Sequence, residues 1–258
     1  MSIHIAMQRV TMTGTLARLP STTFLGRIVR RLFRLVPRRP VETIRSGSLK
    51  GRRWIVASGV HGYWLGTYEP AMQRVIERSV ARGGVFYDVG AHAGYFSLLA
   101  SRVVGAAGRV VAFEPDAGNL RHLREHIRLN DAGNVTVIEA AVADASGSAR
   151  FAAPSSNFEG TLSRAGALSV NMVTVDGLVE SGALPAPTYV KIDVEGAEFR
   201  VLRGARRTLR TASPTIFLAV HSPAAQRLCL DALATLRYEV RPIMRSVWLC
   251  VPPPRSAG

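Results

Sequence analysis

Two acids and one histidine follow two predicted β-strands in the second half of the chain. Asp193 and Glu195 come at the end of the strand predicted over 188–194, and His221 ends the strand predicted over 215–221. Parallel strands present their carboxyl ends at one edge of a sheet, where open α/β sheets bind ligands. A carboxylate or an imidazole there can remove a proton from a bound molecule. We predict Asp193, His221 and Glu195 as catalytic residues, with Asp193 and His221 as the preferred bases.

The same residues allow two other interpretations. Glu195 and Glu198 could stabilise the N-terminus of the next helix, because the helix dipole favours acids in its first turn. Three carboxylates near one imidazole could also bind a divalent ion such as Mg²⁺ or Mn²⁺. The metal stays an alternative, and we predict no metal ligand.

A second group of residues lies at an earlier strand end. Asp88 lies on the strand, and Gly90 and Gly94 let the backbone turn tightly beside a ligand, ahead of a helix N-terminus. Glu114 ends the following strand, where nucleoside-binding α/β sheets place an acid on ribose hydroxyls. His92 occupies the second glycine position of the Gly-x-Gly-x-x-Gly fingerprint. The pattern therefore favours a nucleoside cofactor over a dinucleotide.

These segments resemble the FkbM family of S-adenosylmethionine-dependent methyltransferases. The resemblance covers about residues 60–221, and its segments are DVGAHAGYF (88–96), VAFEPD (111–116), LNDAGNVTVIEAAV (129–142), VKIDVEGAE (190–198) and an entry segment GYWLGTYEP (62–70). The family often carries an acid two residues before the histidine, where this chain has Ala219.

The resemblance implies how the cofactor, S-adenosylmethionine, would be held. The methionine moiety would be surrounded by Asp88, Gly90, Ala91 and Gly94. Glu114 would bind the ribose, and Ala141 with its neighbours would line the adenine, for which Asp144 is a further candidate. Asp193 could contact the methionine ammonium instead of acting as a base.

Short β-branched segments alternate with helical patterns from residue 84 onward, as expected for repeated βα units. Strands are predicted over 84–90, 109–114, 134–139, 188–194 and 215–221, with a closing pair over 238–241 and 247–251. Helices are predicted over 95–104, 116–130, 197–210 and 224–236, and short strands and loops over 144–176. Together with the resemblance, this predicts an α/β, Rossmann-like class I methyltransferase fold with a mostly parallel seven-stranded sheet and helices on both faces.

The positive charge is concentrated at the N-terminus. The 258 residues hold 33 Lys+Arg and 18 Asp+Glu, a net charge of +15. Residues 1–53 hold 12 basic residues and one acid, a net of +11. We therefore predict a basic appendage over 1–53 and a methyltransferase domain over 54–258.

An amphipathic helix is predicted over 24–36 within the appendage. Its apolar residues cover one face and its four arginines the other. Such a helix could lie on an anionic membrane surface or dock on the domain with its arginines in water. Nucleic-acid binding is not favoured, because no aromatic residue for base stacking lies on the arginine face of this helix.

The composition of the chain indicates the cellular compartment in which we expect it. No segment approaches the ~20 apolar residues of a membrane span, and no secretory signal pattern is present. Cys229 and Cys250 lie in apolar surroundings without zinc-site spacing. We expect a cytoplasmic protein, with peripheral membrane contact as a possibility.

The function expected from these observations is methyl transfer from S-adenosylmethionine to a hydroxyl of a small metabolite or a glycan. The residues alone indicate a nucleoside cofactor, and the family resemblance supplies the preference for oxygen. Two alternatives stay open: an RNA methyltransferase, and a non-catalytic S-adenosylmethionine-binding module anchored by the basic helix.

Overall fold

The computed structural model describes residues 41–152, 161–162 and 168–254. The helix predicted over 24–36 lies outside the described residues and stays a prediction. Spatial contacts divide the chain into two compact units, 1–70 and 71–258, whereas charge composition changes after residue 53. No helix in the described part of the chain is long and apolar enough to cross a membrane.

The described part of the first unit is a small aromatic cluster. Strand β1 (Val41–Thr43) pairs antiparallel with β2 (Arg53–Ile55), and a 3-10 turn leads to helix α1 (His61–Leu65). The buried Trp54 on β2 lies 5.2 Å from the ring of Tyr63 on α1. Aromatic rings at this spacing add to the stability that burial provides.

The second unit is built from βα repeats. After α2 (Pro70–Ser79), its first half consists of β3 (Val85–Val89), α3 (Tyr95–Val104), β4 (Arg109–Phe113), α4 (Ala117–Leu129) and β5 (Val135–Ile138). The middle segment contains β6 (Ala141–Val142), β7 (Gly147–Ala152), β8 (Thr161–Leu162), β9 (Leu168–Val173) and α5 (Val175–Glu180). The second half consists of β10 (Tyr189–Ile192), α6 (Glu198–Gly204), α7 (Arg206–Thr211), β11 (Thr215–Ala219), α8 (Pro223–Thr235), β12 (Glu239–Met244) and β13 (Val247–Val251).

Seven of these strands form one sheet in the order β12-β13-β11-β10-β3-β4-β5. The pairings among β11, β10, β3, β4 and β5 are parallel, and β13 is antiparallel to both of its neighbours. Only β13 therefore runs against the other strands of this sheet. The mostly parallel, seven-stranded α/β fold expected from the sequence is confirmed.

The chain order reverses at β3, because β4 lies on one side of it and β10 on the other. Asp88 on β3 is level with Lys191 on β10, and Val89 with Ile192. The two strands therefore end at the same height. The carboxyl edge of an open α/β sheet binds ligands at such a switch point.

Both faces of the sheet are covered. On β4, Val111 and Phe113 belong to the large core that also contains Leu202 and Leu209 of the paired helices α6 and α7. Ala112 points to the other face and packs with Leu120 and Leu123 of α4. This alternation is typical of a sheet between two helical layers.

The middle segment folds into a separate four-stranded sheet with the order β6-β9-β7-β8. Strand β6 is parallel to β9, and β7 is antiparallel to both β8 and β9. The prediction of short strands in this Ser-, Gly- and Ala-rich region agrees with this arrangement.

The single helix predicted over 197–210 is wrong, because two helices occupy that segment. Ala205 has φ −112° and ψ 2°, which interrupts the helical conformation between α6 and α7. The carboxylate of Asp176 accepts the backbone N–H groups of Arg207 and Thr208 at 2.9 and 2.7 Å. A distant side chain thus stabilises a second helix start, which apolar periodicity does not reveal.

Candidate active site

Two glycines shape the loop between β3 and α3. Gly90 has φ 80° and Gly94 has φ 92°, values that residues with a Cβ rarely adopt. A Cβ atom on Gly94 would lie 2.5 Å from Cδ1 of Leu123. The predicted turn is therefore present, and α3 begins directly after it at Tyr95.

The backbone of this loop is anchored to neighbouring elements. The N–H groups of Gly90 and Ala91 donate to the carbonyl of Phe113 at 3.1 and 3.0 Å. Nδ1 of the buried His126 lies 2.7 Å from the carbonyl oxygen of Ala93. Since a carbonyl only accepts, Nδ1 carries the proton. Burial lowers the pKa of His126 to about 4, so the ring is neutral near pH 7.

Glu114 lies directly after β4, buried beside the same loop. Its Oε2 accepts the N–H of His92 at 2.8 Å, and its Oε1 accepts the N–H of Asp116 at 2.9 Å and the side-chain amide of Asn119 at 3.4 Å. Burial raises the pKa of Glu114, and these donors oppose the rise. A carboxylate has about four acceptor positions, so Oε2 keeps capacity for a ribose hydroxyl.

Asp88 is fully buried and both of its oxygens face partners within the protein. Oδ2 accepts the Ser97 hydroxyl at 2.6 Å, and Oδ1 lies 3.2 Å from Nζ of Lys191. The cation that faces Asp88 in the folded chain is therefore the Lys191 ammonium. Lys191 Nζ also donates to the carbonyl of Gly90 at 3.2 Å and lies 3.4 Å from Oδ2 of Asp193.

Lys191 is the site residue that the sequence interpretation missed. It is one of two lysines in a chain with 31 arginines, and it interrupts an otherwise apolar strand. Its side chain is only 3% exposed, so the ammonium depends on its carboxylate and carbonyl partners. The sequence signal that could have identified Lys191 is a charged residue within a strand that is otherwise apolar and therefore expected to be buried.

The three predicted catalytic residues lie together. Nε2 of His221 is 3.4 Å from Oδ1 of Asp193 and 3.4 Å from Oε1 of Glu195. Its Nδ1 is 2.7 Å from Oε1 of the fully buried Glu198. The hydrogen bond to Glu198, together with the charges of the other two carboxylates, raises the pKa of His221 to about 9, against an opposing effect of desolvation.

The two residues predicted near the adenine lie in the middle segment. Ala141 is buried on β6. The carboxylate of Asp144 lies 2.8 Å from Nε of Arg200 and 3.4 Å from a terminal nitrogen of Arg203, and the Arg200 hydrogen bond lowers its pKa. Asp144 is therefore held by helix α6, and Ala141 presents only a small apolar surface.

Taken together, the carboxyl edge carries a glycine loop, the buried acid Glu114 and a carboxylate–histidine cluster. The loop and the acid fit a nucleoside cofactor, because Gly90 permits close backbone approach and Glu114 retains an acceptor position. The carboxylates and the histidine of the cluster can accept a proton from, or donate one to, a second bound molecule.

A family model and several known proteins are similar to this chain. The family model described as Methyltransferase FkbM domain matches residues 88–246. Hexuronic acid methyltransferase AglP of Haloferax volcanii is 28% identical over 151 residues, which cover 58% of this chain and 61% of that relative. The match therefore spans less than two thirds of the relative's length.

Two solved structures are similar as well. Methyltransferase FkbM from Methylobacillus flagellatus KT has 22% identity and a TM-score of 0.49, covering 65% of this chain and 43% of its own. Precorrin-6y C5,15-methyltransferase from Geobacter metallireducens GS-15 has 20% identity and a TM-score of 0.47, covering 67% and 74%.

Proposed function

Because this chain belongs to the FkbM methyltransferase family, we propose that it transfers a methyl group from S-adenosylmethionine to a hydroxyl oxygen of a small metabolite or a sugar. One observation carries the proposal. A Cβ atom at Gly90 would lie 1.9 Å from the carbonyl oxygen of Asp193. The loop suited to the cofactor and the strand end carrying the acidic cluster are therefore in direct contact.

The residues that would hold S-adenosylmethionine follow from the loop and its neighbours. Gly90, Ala91 and Gly94 would line the methionine portion, and Glu114 would accept a ribose hydroxyl at Oε2. When bound, this cofactor supplies an electrophilic methyl group on a sulfonium. Ala141 would contact the adenine, while Asp144 acts through its ion pairs with α6.

Asp88 contributes through Lys191. The buried Asp88–Lys191 pair ties β3 to β10, and the same ammonium lies between the Gly90 carbonyl and Asp193. Alignment of donor and acceptor is the main requirement of an in-line displacement. The pair fixes the distance between the two halves of the site, and Asp88 is accordingly a positioning residue.

The acceptor hydroxyl would bind beside Asp193, Glu195 and His221. Their polar atoms converge at the end of β10 and β11, and all three side chains are partly exposed. An acceptor can therefore reach them from solvent. A carboxylate of Asp193 or Glu195 would accept the hydroxyl proton, because the pKa of about 9 keeps His221 protonated near pH 7. Loss of that proton makes the acceptor oxygen a stronger nucleophile, and His221 would orient the carboxylates.

The acceptor class is proposed as a sugar. The relative AglP is named a hexuronic acid methyltransferase, and its similarity to this chain supports a sugar hydroxyl as the target.

Residues 1–40 lie outside the described residues, so the peripheral membrane contact predicted for 24–36 stays a prediction.

The first experiment measures cofactor binding by calorimetry. We expect S-adenosylmethionine to bind the wild type and to bind Glu114→Gln about 10-fold or more weakly, because one charged acceptor is lost. Glu139→Gln, an exposed acid paired with Arg124, is the matched control and should bind like the wild type. No heat with the wild type would refute the proposal.

The second experiment measures transfer of a labelled methyl group to panels of uronic acids, neutral sugars and total RNA. Transfer to a sugar, lost in Asp193→Asn and His221→Ala, is the expected result. Transfer to RNA alone would support the RNA alternative. Cofactor binding without transfer to any panel would support the non-catalytic alternative.

A further inference from the structure

We propose that Asp193, Glu195 and His221 bind a divalent metal ion. Among the described residues, one ligand atom from each of the three lies within 4.8 Å of the others. Ligands at about 2.1 Å from an octahedral ion lie about 3 Å apart along each edge. The two distances of 3.4 Å from Nε2 of His221 are close to that spacing.

The orientation of His221 is that of a metal ligand. Its Nδ1 lies 2.7 Å from Oε1 of Glu198, which also accepts the N–H of Gly196 at 2.9 Å. Since a carboxylate accepts, Nδ1 carries a proton, and a metal ion would take the place of the second proton on Nε2, which faces Asp193 and Glu195. Histidines in metal sites almost always donate their second nitrogen to a carboxylate or carbonyl in this way.

Asp193 is oriented by a partner too. Its Oδ2 lies 3.4 Å from Nζ of Lys191, while Oδ1 faces Nε2 of His221. One oxygen is thus held by a buried cation, and the other points towards the imidazole and Glu195. Two of the three proposed ligands are therefore fixed through atoms that would not touch the ion.

The charges around the cluster call for a cation. Three carboxylates, those of Asp193, Glu195 and Glu198, surround one imidazole. Oε2 of Glu198 is buried and has no hydrogen-bond partner among the described residues. Lys191 compensates part of the charge on Asp193, but negative charge next to the buried Glu198 is costly where no cation faces it. A divalent ion beside His221 would compensate it.

A protonated imidazole paired with the carboxylates is the competing arrangement. Charge-assisted N–H···O bonds are about 2.7–2.9 Å long. The Nδ1 contact to Glu198 has that length, whereas both Nε2 contacts are 3.4 Å. The wider spacing on the Nε2 side favours an ion between these atoms over a shared proton.

One nitrogen and two carboxylate oxygens suit Mn²⁺ or a similar ion. The binding itself is independent of the proposed function. Its role rests on that function: an ion here would contact the acceptor oxygen and make its hydroxyl more acidic.

The test uses the chelator-treated full-length protein and Mn²⁺, followed by calorimetry and by the electron paramagnetic resonance signal of free Mn²⁺. We expect one saturable site, weakened at least about 10-fold in Asp193→Asn and in Glu195→Gln. Glu198→Gln should weaken binding roughly 10–100-fold by releasing His221. Glu239→Gln is the control and should bind Mn²⁺ like the wild type. Glu239 lies opposite Val251 on β13, at the far end from Val247, which lies opposite Ala219 near the proposed site.

S-adenosylmethionine binding is measured on the same samples, so the two proposals fail separately. Absence of saturable Mn²⁺ binding to the wild type overturns the metal site, whatever the cofactor does. Equal Mn²⁺ affinity of the wild type and the Asp193→Asn/Glu195→Gln double variant overturns it as well. Mn²⁺ binding without cofactor binding supports the metal site and contradicts the proposed function.

Discussion

The backbone of Gly90 packs directly against the carbonyl of Asp193, so closely that a Cβ atom at position 90 would lie 1.9 Å from that oxygen. Gly90 directly follows β3 and opens the glycine loop, and Asp193 directly follows β10 and opens the acidic cluster. No side chain fits between them. The two halves of the site are therefore adjacent because residue 90 is a glycine.

Gly90→Ala is expected to lose stability and cofactor binding together, because the added methyl group forces β3 and β10 apart. Gly83→Ala is the matched control, since Gly83 also has a positive φ (79°) but an added methyl group there would meet nothing within 4 Å. The control should lose roughly 1–2 kcal/mol from its backbone conformation alone. Gly90→Ala should lose roughly 1–3 kcal/mol more. Equal losses in urea denaturation would contradict the packing argument.

Lys191→Met is expected to destabilise the protein by roughly 3–5 kcal/mol, because it leaves the fully buried Asp88 carboxylate without its ammonium partner. The double variant Asp88→Asn/Lys191→Met should recover part of that loss, since the unpaired charge is then absent. Chemical denaturation of the four members of this cycle measures the coupling. Additive losses would show that the two residues do not depend on each other.

Stability should fall in mild acid because of His126. Its pKa is lowered to about 4 in the folded protein, against about 6.5 for an unperturbed histidine. Between these values the unfolded chain binds the proton and the folded chain does not, so stability decreases as pH falls from 6.5 to 4. The free energy of unfolding should be lower at pH 4 than at pH 6.5 by roughly 3 kcal/mol from this group.

His126→Gln should remove most of this slope when unfolding is measured across that pH range. The charged and titratable groups around His126 are His122, Glu125 and His92. His122→Gln is the comparison: burial lowers the pKa of His122 too, but its side chain is less buried, so its removal should change the slope less. A slope in His126→Gln equal to that of the wild type would assign the effect to other groups.

Asp176→Ala should destabilise the protein by roughly 1 kcal/mol, because its carboxylate accepts the first N–H groups of α7. Asp176→Asn should keep part of the stabilisation, because the amide oxygen of Asn can still accept a backbone N–H group of α7. Glu180→Ala, an exposed acid on the same helix α5, controls for loss of surface charge. Thermal unfolding of the three variants gives the comparison, and equal midpoints for Asp176→Ala and Glu180→Ala would exclude the capping role.

Local patterns in the sequence were sufficient for most of the fold. Apolar β-branched segments of four to six residues alternate with amphipathic ones, and this periodicity depends only on neighbours along the chain. It also located Asp88, Gly90 and Glu114, since a turn and an acid at a strand end are local features. The break between α6 and α7 escaped it, because Asp176, which caps α7, lies about thirty residues away in sequence.

The sequence by itself therefore determined the α/β order of elements, the glycine loop and the identities of the acids and the histidine at the strand ends. Only the tertiary structure decided which of these groups meet. Parallel pairing sets Asp88 level with Lys191, and the ammonium then reaches Gly90 and Asp193. Likewise, Glu198 fixes Nδ1 of His221 and leaves Nε2 facing two carboxylates. These contacts depend on strand register and burial, which residue types and local spacing do not specify.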